Sequence, residues 1–240
     1  MSGHSKWSTI KRKKEKTDAE RAKIFTKVGR EIAVAVREGG ADPAANARLR
    51  DVIAKAKSNN VPNDNIDRII KKAAGEGDGA KYEAIVYEGY GPSGVAVIVE
   101  TLTDNRNRTA GEMRHYFDKY GGNLGQSGSV AFQFSRQGVL LIDGEAAEEE
   151  RLLEDALEAG ALDILTEEDC FDIRTEPAGF GIVRDALEQK GYAFLSAEVA
   201  YVPVTTVQLP GEADSKNMAK LLDMLEENDD VQSVWHNWEE

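Results

Sequence analysis

Apolar residues at helical spacing dominate the first part of the chain. Phe25, Val28, Ile32 and Val36 recur at i, i+3, i+7 and i+11, which makes one stripe and predicts a helix. Thr17 and Glu20 have the spacing of a capping box, so the helix is expected to begin there. Gly29 is expected to interrupt it, at ~1 kcal/mol relative to alanine, and Gly39-Gly40 to end it. Asp42 reads as the cap of a second helix with Pro43 in its first position, and Leu49, Val52, Ile53 and Ala56 give that helix an apolar face. Pro62 opens a third, short helix in which Ile66, Ile69, Ile70 and Ala73 face inward. Three such stripes predict a helical bundle over residues 1–77. Gly75-Glu76-Gly77-Asp78-Gly79 follows, too polar and too glycine-rich to join a core, and reads as a linker.

Beyond the linker the pattern changes to short β-branched and aromatic runs. Ile85–Tyr87 and Val95–Leu102 read as strands around the turn Gly91-Pro92-Ser93-Gly94. A helix is expected over roughly 110–119, then a glycine-rich loop at 121–128 and a strand at 130–134. From residue 138 the order is strand (139–142), helix (145–158, with Leu152, Leu153 and Leu157 inward), two strands (162–165 and 171–174), helix (182–189) and strand (194–201). That βαββαβ order predicts a ferredoxin-like unit. A strand at 205–209, a helix at 215–227 and a strand at 231–235 then supply what the elements at 85–134 lack. The expected fold class is α+β and multidomain: a helical bundle (1–77) plus two ferredoxin-like α/β domains. One of these (136–203) is inserted in the other (78–135 and 204–240).

Charge changes the picture more than composition does. The 240 residues carry a net charge of −13, with 41% hydrophobic and 30% charged residues, an ordinary globular make-up. One cysteine rules out a disulfide framework, and no apolar run reaches the ~18 residues of a membrane helix. A cytoplasmic protein is expected. Yet residues 1–77 have a net charge of +8 and residues 78–240 one of −21. A basic module on an acidic body suits a polyanion, although two solvated surfaces of opposite sign would give the same count. Lys6, Lys11, Arg12, Lys13, Lys14 and Lys16 cluster before the first helix, with Lys23 and Lys27 on it. Each such cation placed at a phosphate releases a condensed counterion, which gives affinity without reading sequence. Trp7 is either a stacking platform for an unpaired base or an anchor for the arm.

Catalytic signatures are absent from the sequence. There is no phosphate-binding loop of the G-x-x-x-x-G-K-[ST] type, and Gly122–Gly128 precedes a strand instead of following one, so it reads as a structural turn before a nucleic-acid contact. His4, His115 and His236 lack metal-ligand spacing, and Cys170 reads as a small core residue. No cofactor, metal or enzymatic activity is expected. Asp104-Asn105-Arg106-Asn107-Arg108 stands apart: two arginines in a polar loop on an acidic body. Arg106 and Arg108 either bind phosphate, with Arg114 adding to them, or pair with local acids while Asp104 and Thr109 cap the following helix.

Gly3-His4-Ser5-Lys6-Trp7, Ile10-Lys11, Lys23-Ile24-Phe25-Thr26-Lys27, Thr103-Asp104-Asn105-Arg106-Asn107-Arg108-Thr109 and Gly121-Gly122-Asn123-Leu124-Gly125 together resemble the YebC/PmpR family of bacterial proteins, which has a mitochondrial relative that activates translation. The resemblance covers almost the whole chain. It implies three domains, no enzymatic activity and a role in gene expression, either as a DNA-binding transcriptional regulator or as a ribosome-associated translation factor acting on ribosomal RNA. A basic arm ahead of a bundle suits phosphate and shape recognition, which fits structured RNA and non-specific DNA alike. A ligand-sensing or protein-interaction module is the third possibility, with a small-molecule ligand the least expected partner.

Overall fold

The computed structural model describes residues 18–75, 81–167 and 169–239. Its helices are α1 (Asp18–Gly39), α2 (Ala47–Ser58), α3 (Asn63–Ala74), α4 (Arg106–Lys119), α5 (Glu149–Ala159), α6 (Phe180–Gln189) and α7 (Glu212–Glu227). Its strands are β1 (Glu83–Tyr90), β2 (Ala96–Thr103), β3 (Asn123–Leu124), β4 (Phe134–Asp143), β5 (Asp163–Thr166), β6 (Cys170–Thr175), β7 (Ser196–Pro203), β8 (Val207–Gln208), β9 (Val231–His236) and β10 (Trp238–Glu239). The mixture is α+β, as the periodicities predict.

α1 runs through Gly29 without the expected interruption. Val28 and Ile32 are both buried beside it, and burial of a large aliphatic side chain, at about 1.5–3 kcal/mol, exceeds the glycine penalty. The helix gives way at Gly40, whose φ of 86° is left-handed. α2 starts at Ala47, not at Pro43. The Asp42 carboxylate accepts from the Ala44 N–H and closes a local turn instead. The actual cap is Asn46, which accepts from the Leu49 N–H at 3.0 Å and donates to the carbonyls of Ala35 and Gly40. Pro62 precedes α3 as expected. Thr17 lies outside the described residues.

The chain divides into two compact units. In the first (described residues 18–31, 81–135 and 201–239), a four-stranded sheet has the order β3-β1-β2-β9, with all neighbours antiparallel. The β1–β2 hairpin forms its centre. Val97, Val99 and Val231 meet Met113 and Phe117 of α4 and Met218, Leu221 and Leu225 of α7 in one core. Gly89 admits the close approach of β3: a Cβ there would lie 2.6 Å from the Asn123 carbonyl and 2.8 Å from Phe117. β8 and β10 form a separate parallel pair.

The second unit holds residues 32–75 and 136–200. Its sheet has the order β5-β6-β4-β7, so the first strand in the chain lies inside, between the third and the fourth. This is the interleaved arrangement of a βαββαβ chain. Leu140, Ile142 and Ile173 pack against Leu152 and Ala156 of α5 and Val183 and Leu187 of α6. Leu153 and Leu157 are exposed, contrary to their predicted inward position, because Ala156 completes the buried stripe. Arg184 of α6, 2% exposed, donates to Asp51 of α2 at 2.6 Å and to Asp185 at 2.7 Å, which ties the helical segment to this unit.

Candidate nucleic-acid interface

The segment Thr103–Thr109 joins the end of β2 to the start of α4. Its cap is Asn105, which accepts from the Arg108 N–H at 3.1 Å, rather than Asp104 or Thr109. Thr103 and Thr109 are buried, and their hydroxyls lie 3.1 and 2.8 Å from Oδ2 of Asp230, just before β9. Arg108 donates to the same oxygen at 2.7 Å and to Asp104 at 3.0 Å. Its guanidinium pKa is raised by those two carboxylates. Arg106 donates to Glu83 at 3.0 Å across a pair that is exposed on both sides. Both arginines therefore pair with local acids, but only Arg108 is tied to a buried one.

Asp230 collects more than this loop. Arg30 of α1 donates from Nη1 to Asp230 Oδ1 at 2.6 Å and to the carbonyls of Asp229 (2.8 Å) and Leu102 (3.2 Å), and its guanidinium lies over the Tyr82 ring. One turn earlier, Lys27 donates to the Glu226 carbonyl at 2.7 Å. Cations thus meet the C-terminal end of α7, where the helix dipole favours them. Burial works to raise the Asp230 pKa, but hydrogen bonds from Arg108, Thr109, Arg30 and Thr103 prevail and hold it at about 2. The chain's pattern gives no sign of this centre. Asn228-Asp229-Asp230 reads as an ordinary polar turn, and its partners lie more than 100 residues away.

Of the predicted contact residues, Lys23 is half-buried on α1 and Lys27 is engaged as described. Lys6, Trp7, Lys11, Arg12, Lys13, Lys14 and Lys16 lie outside the described residues. The glycine-rich loop is held from within: the Glu88 carboxylate accepts from the N–H groups of Gly128 (2.7 Å), Val130 (2.9 Å) and Ala131 (2.8 Å). That gathering of amides produces a short 3-10 turn at Ala131–Gln133 where a strand is expected. Gly122 has no room for a Cβ beneath the Tyr90 carbonyl. Cys170 is buried, and burial first, then neighbouring acids, push its thiol up to about 11, far from a nucleophile's range. Among the described residues there is no metal-holding group of three or more His, Cys, Asp or Glu, and no helix long and apolar enough to cross a membrane.

A four-stranded sheet with a central hairpin, an interleaved α/β unit and the Thr103–Thr109 segment locked on Asp230 thus define the chain. Residues 5–76 match the family model described as TACO1/YebC protein N-terminal domain, and residues 82–238 the one described as TACO1/YebC second and third domain. The chain belongs to the TACO1/YebC family, as its motifs imply. It is similar to the "Probable transcriptional regulatory protein" of Ruminiclostridium cellulolyticum, with 58% identity over all of this chain and 97% of that one. A protein of the same name from Finegoldia magna is 59% identical over 100% of this chain and 99% of its own. Among solved structures, a conserved hypothetical protein from Aquifex aeolicus aligns with a TM-score of 0.84 and 46% identity over 95% of each chain.

Proposed function

We propose that this chain is a cytoplasmic, nucleic-acid-binding regulator of gene expression that holds phosphates through residues 1–77 and catalyses no reaction. The observation that carries the reading is the reversal of charge along the chain, +8 before residue 78 and −21 after it. An anionic body is repelled by bulk nucleic acid, so contact is one-ended and falls on the basic segment. The regulatory name of the full-length relatives supports the same reading. Arg108 serves as a framing residue, because leaving Asp230 would take a charged donor from a buried carboxylate. Arg106 remains available, since an exposed pair such as its contact with Glu83 is worth only about 0–1 kcal/mol.

The test is replacement of Lys11, Arg12, Lys13 and Lys14 together by alanine. Affinity for DNA or RNA should fall, and the slope of log K against log salt should flatten by roughly 3–4. Unchanged binding by the folded variant refutes the reading. The polymer is identified by crosslinking in cells followed by sequencing of the attached nucleic acid, where promoter DNA indicates transcription and ribosomal RNA the ribosome. α3 favours contact with backbone over base edges: its Ile66 is buried, which leaves Asn63, Asn65 and Arg68 as its few base-reading side chains.

A further inference from the structure

The reading above leaves open which described surface of the basic segment meets the polymer, since the arginine loop is closed on itself and Lys27 caps α7. α3 offers an unengaged set. Arg68, Lys71 and Lys72 occupy i, i+3 and i+4, all are exposed, and none makes an ion pair among the described residues. They project opposite to Ile66, Ile69, Ile70 and Ala73, the face the helix turns inward. Arg30, Arg48, Arg106, Arg108, Arg174 and Arg184 each hold a carboxylate, whereas exposed Arg50 and Lys57 on α2 have no such pair among the described residues but do not form an i, i+3, i+4 set on one helix face. Asp64 and Asp67 lie one turn before Arg68 and Lys71 without pairing with them, and the acid of the neighbouring α2, Asp51, is taken up by Arg184. Residues 47–75 hold seven basic and three acidic groups, so the surroundings do not cancel the three cations.

We infer that the solvent face of α3 is a phosphodiester-docking surface on which Arg68, Lys71 and Lys72 contact successive phosphates of a nucleic-acid strand; this deepens the proposed function and rests on it. The spacing suits the task. Four residues of helix advance about 6 Å, close to the ~7 Å that two phosphate steps advance along one strand of a duplex. A cation without an internal partner can neutralise a phosphate and release the counterion condensed on the nucleic acid there, which drives binding. A guanidinium already bidentate to aspartate gains nothing comparable. Lys216 and Lys220 on α7 make an internal comparison: they have the same i, i+4 spacing and exposure, but share their helix with Glu212, Asp214, Asp223, Glu226 and Glu227.

The experiment uses the full chain, a labelled mixed-sequence DNA duplex and a single-stranded RNA, with affinities measured across a salt series. Arg68→Gln, Lys71→Gln and Lys72→Gln are combined, and Lys216→Gln with Lys220→Gln is the control. If the three side chains each meet a phosphate, the salt slope flattens by about 2.7 on duplex DNA or about 2.1 on a single strand, and affinity at ~0.1 M salt drops roughly a hundredfold. The control keeps the wild-type slope, and circular dichroism shows both variants folded. A wild-type protein that binds and a triple variant that binds with the same slope overturn the inference while leaving the proposed function intact. A wild-type protein that binds neither polymer overturns both. A slope loss on one polymer alone supports the inference and names its source.

Discussion

Replacement of Asp230 by asparagine removes the charge at the centre of the first unit while keeping the shape of the side chain. The wild-type carboxyl titrates at about 2, against an ordinary value near 3.8. At 1.36 kcal/mol per pKa unit that gap corresponds to roughly 2.4 kcal/mol of stability. Arg108, one of its two cationic partners, has a side chain that is 43% exposed, so solvent screening reduces the figure to about 1.5–2 kcal/mol. The direction follows from the depressed value. The contribution is complete above the unfolded-state pKa, from about pH 5 upward, and drains away as pH falls toward 2. Urea unfolding followed by tryptophan fluorescence reports on the right unit, because the buried Trp235 and Trp238 both belong to it. Asp230→Asn should be less stable than wild type by about 1.5–2 kcal/mol near neutral pH, and the difference should shrink steadily below about pH 4. Other acids titrate equally in both proteins and cancel in the comparison. Two stability curves that stay parallel down to about pH 2.5 would sink the argument, since the carboxylate would then contribute shape and not charge.

Two further outcomes follow from the same reasoning. Glu88→Gln keeps a single carbonyl acceptor for three N–H groups and should cost about 1–2 kcal/mol; amide exchange at Gly128, Val130 and Ala131 should accelerate, and unchanged protection would show that the loop holds itself. Burial opposes ionisation of Glu88, but the three backbone donors outweigh it and lower the pKa, so this stabilisation too is present above the ordinary glutamate range and lost in acid. Cys170, buried and with its thiol pushed up to about 11, should resist iodoacetamide at neutral pH until the chain unfolds; a fast alkylation phase in the folded protein would contradict its assignment to the core.

The sequence was most legible where periodicity is local. The stripe Phe25–Val36 and the βαββαβ order after residue 138 both correspond to observed elements, because local spacing marks where helices and strands form, although in α5 it put Leu153 and Leu157 on the wrong face. It was least legible where a polar side chain acts over a long separation. Asp42 has the right chemistry for a cap, yet Asn46 takes that role because its amide also satisfies two carbonyls at the end of α1, a double function that only the folded chain reveals. Asp172 and Arg174 of β6 are both buried and paired with each other, which hydrophobicity cannot indicate. The site divides in the same way. The resemblance of motifs marked Thr103–Thr109 as special, but its partner, Asp230, has no local signal.

The motif's two arginines therefore differ in kind, and the difference bears on how nucleic acid is held. Moving Arg108 to a phosphate would leave the buried Asp230 carboxylate with one fewer donor, at a cost that is a large part of the roughly 1.5–2 kcal/mol its charge contributes. Contact with one exposed phosphate, screened by salt over about 8–10 Å, returns less than that. Arg106 faces no such barrier, because Glu83 is as exposed as its partner. The same comparison separates other cations of the chain. Arg30 and Lys27 fix α1 against the end of α7, Arg184 holds α2 through Asp51, and Arg68, Lys71 and Lys72 are left facing solvent. A basic composition does not by itself make a polyanion-binding face. In this chain part of the positive charge is the mortar of the fold, and the cations without an internal carboxylate are the ones best placed to neutralise a strand's phosphates and release its condensed counterions.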